Sequence, residues 1–90
     1  MDAERGRQIR AALEAAFLPG EVEVIDDSAA HAGHAGAREG GHYRVRIVSA
    51  RFTGRPTLER HRLVYDALAA LMGRGIHALA IRALAPGERG

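Results

Sequence analysis

The sequence predicts an α+β domain in which a three-stranded mixed sheet carries two helices on one face. Three observations lead there. The period of the apolar residues changes along the chain in the order helix, strand, strand, helix, strand. The connection between the first two strands is shorter than about 20 residues and makes them antiparallel neighbours, whereas the helix before the third implies a right-handed parallel crossover. Ninety residues with no internal repeat and no long linker suit one domain, expected over 1–90 with an ordered core from about 5 to 85.

In the first helix Ile9, Leu13, Ala16 and Phe17 recur at helical spacing, with Arg7, Arg10 and Glu14 on other faces. Pro19-Gly20 ends it, because proline cannot continue a helix and glycine accepts the turn. "EVEVID" alternates Val22 and Val24 with Glu23, a short half-buried strand. A loop rich in glycine and histidine follows. "HYRVRIVSA" then alternates Tyr43, Val45 and Ile47 with Arg44 and Arg46, the clearest strand in the chain. "RFTGRP" is a turn punctuated by Gly54 and Pro56. The second helix is expected from Thr57 to Met72, with Val64, Ala67, Leu68 and Leu71 along one stripe and "GRG" closing it. "IHALAIRAL" is the last strand, with His77, Leu79 and Ile81 on one face, and the tail 86–90 is expected to be disordered.

Composition narrows the function classes. A hydrophobic share of 47% argues against disorder along the whole length. No apolar run approaches the roughly 20 residues of a membrane span, and the first residues lack the apolar block of a secretory signal, so a cytoplasmic protein with no membrane partner is expected. The absence of cysteine excludes disulfides, thiolate catalysis and an all-cysteine metal site from this chain. All 13 basic residues are arginine, yet the net charge is only +2, which permits contact with anions without identifying nucleic acid. There is no Walker A motif, nucleophile elbow or dinucleotide fingerprint, and neither Ser28 nor Ser49 has an acid–base partner at a recognisable spacing. An enzyme is not expected.

The residues that invite chemistry are histidines and arginines. The expected topology puts the end of the first strand and the starts of the other two at one end of the sheet. His31, His34 and His42 would thereby lie near His77, with Gly33, Gly36, Gly40 and Gly41 allowing the loop to fold back. Neutral imidazole can bind zinc, copper or iron, although solvated histidines in a glycine loop are the commoner case. His61 borders the apolar stripe of the second helix and reads as a packed side chain. Arg60 and Arg62 in the first half of that helix oppose its macrodipole, and Arg51 and Arg55 extend the same patch, which hints at an anionic partner. With His61 they form the candidate nucleic-acid contact. The turn Gly54-Arg55-Pro56-Thr57 lacks the second glycine of the loop that clamps a nucleic-acid backbone in KH domains.

"VIDDSAAH", "HYRVRIVSARFTG", "LERHRLVYDAL" and "IHALAI", taken in order over roughly residues 5–85, resemble the BolA family. The resemblance implies a class II KH-like α+β fold, αββαβ, with a short extra helical turn near Phe52–Pro56. It also implies partnership with a monothiol glutaredoxin around a shared [2Fe–2S] cluster, with none bound to the isolated chain. The histidine of the "HAL" strand, His77 here, is then one ligand. His31 matches the second by its place after "DxS", with His34 as the neighbouring alternative. Because this chain offers no thiolate, two imidazoles would complete one iron, as in Rieske-type centres. The other iron would take the partner's cysteine and a glutathione thiolate. The family resemblance also implies a second role, DNA-binding transcriptional regulation through the basic second helix.

Overall fold

The structure, a computed structural model, describes residues 3–27 and 41–89. Helix α1 (Ala3–Phe17) leads into strand β1 (Gly20–Asp26), and β2 (Gly41–Ser49) runs into a 3-10 turn (Ala50–Phe52). Helix α2 (Thr57–Ala67) and strand β3 (Ile76–Leu84) complete the order. The sheet is ordered β1-β2-β3, antiparallel between the first pair and parallel between the second. No helix among the described residues is long and apolar enough to cross a membrane.

Both helices pack on the face that the period-2 pattern of β2 assigns to the core. Tyr43, Val45 and Ile47 are buried there, between Ile9, Leu13 and Phe17 of α1 and Val64 and Leu68 at the end of α2. The Phe17 and Phe52 rings meet with centroids 5.0 Å apart, and the Arg51 guanidinium lies 5.0 Å above the Phe17 ring. Arg51 also donates from Nη1 to the Ala16 carbonyl at 2.8 Å. A cation thus satisfies a carbonyl in the last turn of α1, where the helix dipole favours positive charge. Arg10 ties the same helix to the sheet by donating to the Val22 carbonyl at 3.1 Å.

Four expectations are corrected. Helix α2 ends at Ala67 rather than Met72, because the Leu68 N–H is shared among the Val64, Tyr65 and Asp66 carbonyls and the backbone leaves helical geometry there. Turns carry the chain on to Gly75, with Leu71 and Met72 donating to the Leu68 carbonyl at 2.8 and 3.0 Å. Both side chains still pack against the core, so the apolar stripe reads longer than the helix. The short helical turn lies at Ala50–Phe52, just before the expected position, where the Ser49 hydroxyl accepts the Arg51 N–H. The alternation expected from residue 77 through Leu79 and Ile81 is interrupted by a shift in the ladder's register. Gly41 pairs with Ile76 and His42 with Ala78, so residue 77 is the extra residue of a bulge and the core row at that end belongs to Ile76.

The fourth correction concerns the tail. Pro86-Gly87 forms a turn, and Glu88 returns to the domain instead of being disordered. Its carboxylate accepts from Arg60 Nη1 and Nη2 at 2.6 and 2.9 Å, and from the Ala85 N–H at 2.9 Å. Arg60 also donates to the Arg55 and Ala83 carbonyls at 2.7 and 3.0 Å. The Arg60 hydrogen bonds, then the Ala85 N–H, pull the Glu88 carboxyl from 4.5 down to about 2. A carboxyl depressed on folding stabilises the fold above its ordinary value and loses that contribution as pH falls through its folded value. Glu88→Gln should therefore lower Tm relative to the unsubstituted chain above about pH 4.5, with the gap closing as the pH falls towards about 2. Thermal melts of both chains across pH 2–7 check this, and a gap independent of pH would contradict it.

Candidate metal centre

The sheet end expected to gather the histidines is built by hydrogen bonds between segments far apart in sequence. Asp26 pairs with Tyr43 at the last rung of the antiparallel ladder, and the Asp27 N–H donates to the His42 carbonyl at 2.7 Å. One residue away, the Gly41 N–H donates to the Gly75 carbonyl at 2.7 Å, fixing the start of β2 to the start of β3. Asp27 and Gly41 thus stand at one end of the sheet, beside Ile76 and the bulge at residue 77.

Two glycines are needed for this arrangement. Gly75 has φ +122°, a conformation that residues with a Cβ rarely adopt, and an added Cβ would meet the Arg5 guanidinium. At Gly41 a Cβ would run into the Tyr43 ring, whose burial anchors this end of the core. A shallow cleft lies alongside, lined by Asp27, His42, Tyr43, Arg44, Ala78, Leu79 and Ala80. Arg44 Nε sits 3.6 Å from the Asp27 carboxylate at its rim. The His42 Nε2 atom is buried within the structure, away from solvent.

His31 and His34 lie outside the described residues, as does the side chain of His77; the backbone of residue 77 is placed by the ladder. Among the described residues no three His, Asp or Glu side chains gather as donors for a metal. The structure accordingly brings together residue 77 and the backbone positions that flank residues 28–40. The donor set of the chain is imidazole with no thiolate, which suits half of a [2Fe–2S] centre whose sulfur ligands come from elsewhere.

The arginine cluster divides differently from its sequence. Arg51 caps α1, Arg55 donates to the Arg51 carbonyl and pairs with Glu59 at 3.2 Å, and Arg60 is held by Glu88. The Arg60 side chain is only 14% exposed, so it offers little to an outside anion. His61 is half-buried, and Arg62 is exposed with no hydrogen bond or ion pair among the described residues. Sequence reasoning missed Glu88 and Gly75. No local pattern links Arg60 to a glutamate 28 positions on, and the "GRG" turn signalled a helix end without revealing that its last carbonyl would pin β2.

The family model described as BolA-like protein matches residues 13–88. The chain belongs to this family. Among curated BolA-family relatives, BolA-like protein 1 of Mus musculus is 45% identical over 89% of this chain and 57% of its own length. The DNA-binding transcriptional regulator BolA of Escherichia coli (strain K12) is 43% identical over 82% of this chain and 69% of its own. The solved BolA domain of SufE1 from Arabidopsis thaliana superposes with a TM-score of 0.84 at 45% identity, covering 99% of this chain and 100% of that domain. The α+β fold with a three-stranded mixed sheet is the one seen in these BolA structures. The chain spans only part of its longer relatives, 24% of SufE-like protein 1 from the same plant and 57% of the mouse protein.

Proposed function

We propose that this BolA-family chain is an adaptor that binds a monothiol glutaredoxin and shares a [2Fe–2S] cluster with it, in iron–sulfur trafficking or iron-dependent regulation. One observation carries the reading. The ladder sets residue 77 at a bulge next to Gly41, and Asp27 lies at the same sheet end, so the two positions that flank the segment carrying His31 and His34 stand beside residue 77, which supports pairing those imidazoles. His77 would be one ligand, and His31, or His34 in its place, the other. Bulges re-aim side chains and recur beside functional sites, which suits a ligand position better than a core one. The shared group would supply electron storage and a transferable iron–sulfur unit, while the chain's part is to present two neutral imidazoles and a rigid glycine-framed edge. The test is reconstitution of the two purified proteins with iron, sulfide and glutathione, read by visible absorption; no coloured complex under any ratio would end the reading. Because a ligating imidazole must be unprotonated, coordination should weaken as pH falls below about 6.5. Absorption that stays flat down to about pH 5 contradicts histidine ligation.

A second reading, DNA binding through α2, is favoured by the likeness to the Escherichia coli relative, a DNA-binding transcriptional regulator. The cations still open to phosphate there are few, with Arg62 the most exposed. If this reading holds, duplex DNA affinity should fall steeply with salt, and Arg62→Ala should lower the slope of log K against log salt by about one. No binding near physiological salt removes it.

A further inference from the structure

Strand β3 is an edge of the sheet, nine residues long, and carries one charge, Arg82. Long apolar edges invite further pairing, and proteins blunt them with charges or covers. Here the covers sit at the two ends. Met72 bridges Ile76 at the start. At the finish Arg60 donates to the Ala83 carbonyl and Glu88 accepts the Ala85 N–H. Those two bonds also give the phase of the edge. Ala83 and Ala85 turn peptide groups away from β2, so by alternation Leu79 and Ile81 do as well. Among the described residues no hydrogen bond covers the outward groups of Leu79 and Ile81. Both side chains stay half-buried, whereas Tyr43 and Val45, their ladder partners in β2, are buried.

We propose that the open window Ala78–Arg82 is a self-association surface, pairing antiparallel with the same window of a second copy about a two-fold axis at Ala80 to make one continuous sheet. The occupant is argued from the window's own residues. Centred on Ala80, the pairing sets Leu79 opposite Ile81 of the second copy and the reverse, so the outward N–H and C=O groups of all four satisfy one another. The half-buried Leu79 and Ile81 side chains then close over each other's exposed flanks. Arg82 falls opposite Ala78, which keeps the two positive charges apart, and the axis carries the smallest side chain with a Cβ. The end covers set the length, since pairing runs out where Arg60 already holds Ala83. This surface is independent of the cluster reading.

Sedimentation and hydrogen exchange test it on the full chain without metal. Between about 10 μM and 1 mM the mass should move from one chain towards two, as for a small weak interface. The Leu79 and Ile81 amides should gain protection over the same range. Ala80→Glu places like charges on the axis while facing Arg44 within its own chain, and should raise the dissociation constant about fivefold or more. An equal mixture of Ala80→Glu and Ala80→Lys chains should recover association. A chain that remains single at 1 mM overturns the proposal, even if a glutaredoxin protects those amides. So does a dimer in which they exchange at an unchanged rate or the mixture shows no recovery. Circular dichroism melts of each variant separate misfolding from lost pairing.

Discussion

His77→Ala should abolish the visible absorption of the complex reconstituted with a monothiol glutaredoxin, while the metal-free pair still forms. Loss of a group that merely supports a metal ligand costs roughly 10–100-fold in affinity, and loss of a ligand itself should exceed that. The ladder predicts that the fold survives, because residue 77 is the extra residue of the bulge and the core row beside it is filled by Ile76. Circular dichroism of the variant should match the unsubstituted chain. His77→Cys supplies the decisive contrast. A thiolate in place of imidazole should retain a coloured complex with a lower reduction potential, since imidazole ligation raises the potential of such centres. Unchanged absorption in the alanine variant would exclude residue 77 as a ligand. Loss of colour together with loss of the metal-free complex would instead make it a docking residue.

Phe52→Ala should cost about 3–5 kcal/mol, the usual range for deleting a buried aromatic ring. Phe52 is 0% exposed and stacks against Phe17 at 5.0 Å, beneath the segment where Arg51 closes the end of α1. The cavity would open where the 3-10 turn, α1 and the core face of the sheet meet. Domains of this size are stabilised by only about 5–15 kcal/mol, so the change removes a large part of the total. Urea unfolding measures it, with Leu58→Ala, 63% exposed, as a control expected within about 0.5 kcal/mol of the unsubstituted chain. A cost for Phe52→Ala below about 1.5 kcal/mol would mean that the turn collapses into the space.

The topology was legible because it follows from few constraints. Period-2 alternation at Tyr43, Val45 and Ile47 marked the clearest strand, and a helix between two strands required a parallel crossover. The convergence of Asp27, Gly41 and residue 77 at one sheet end followed from those alone. The bulge was not legible. His77, Leu79 and Ile81 keep perfect alternation in sequence, and only pairing with Gly41 shows that Ile76 takes the core position. An apolar residue directly before the histidine was the available signal. The arginines misled for a related reason. Arg51 and Arg60 look like a surface patch because their partners, the Ala16 carbonyl and Glu88, are remote in sequence.

The bond between Gly41 and Gly75 has a further consequence. It closes a long excursion of the chain, so its entropy of closure is recovered only once β2, α2 and β3 have docked. The edge bearing residue 77 cannot preassemble on an open polypeptide. Apparent affinity for any guest at that edge is therefore scaled by the folded fraction, and a destabilised variant will mimic a damaged ligand set. Measurements at a temperature well below each variant's melting transition separate the two.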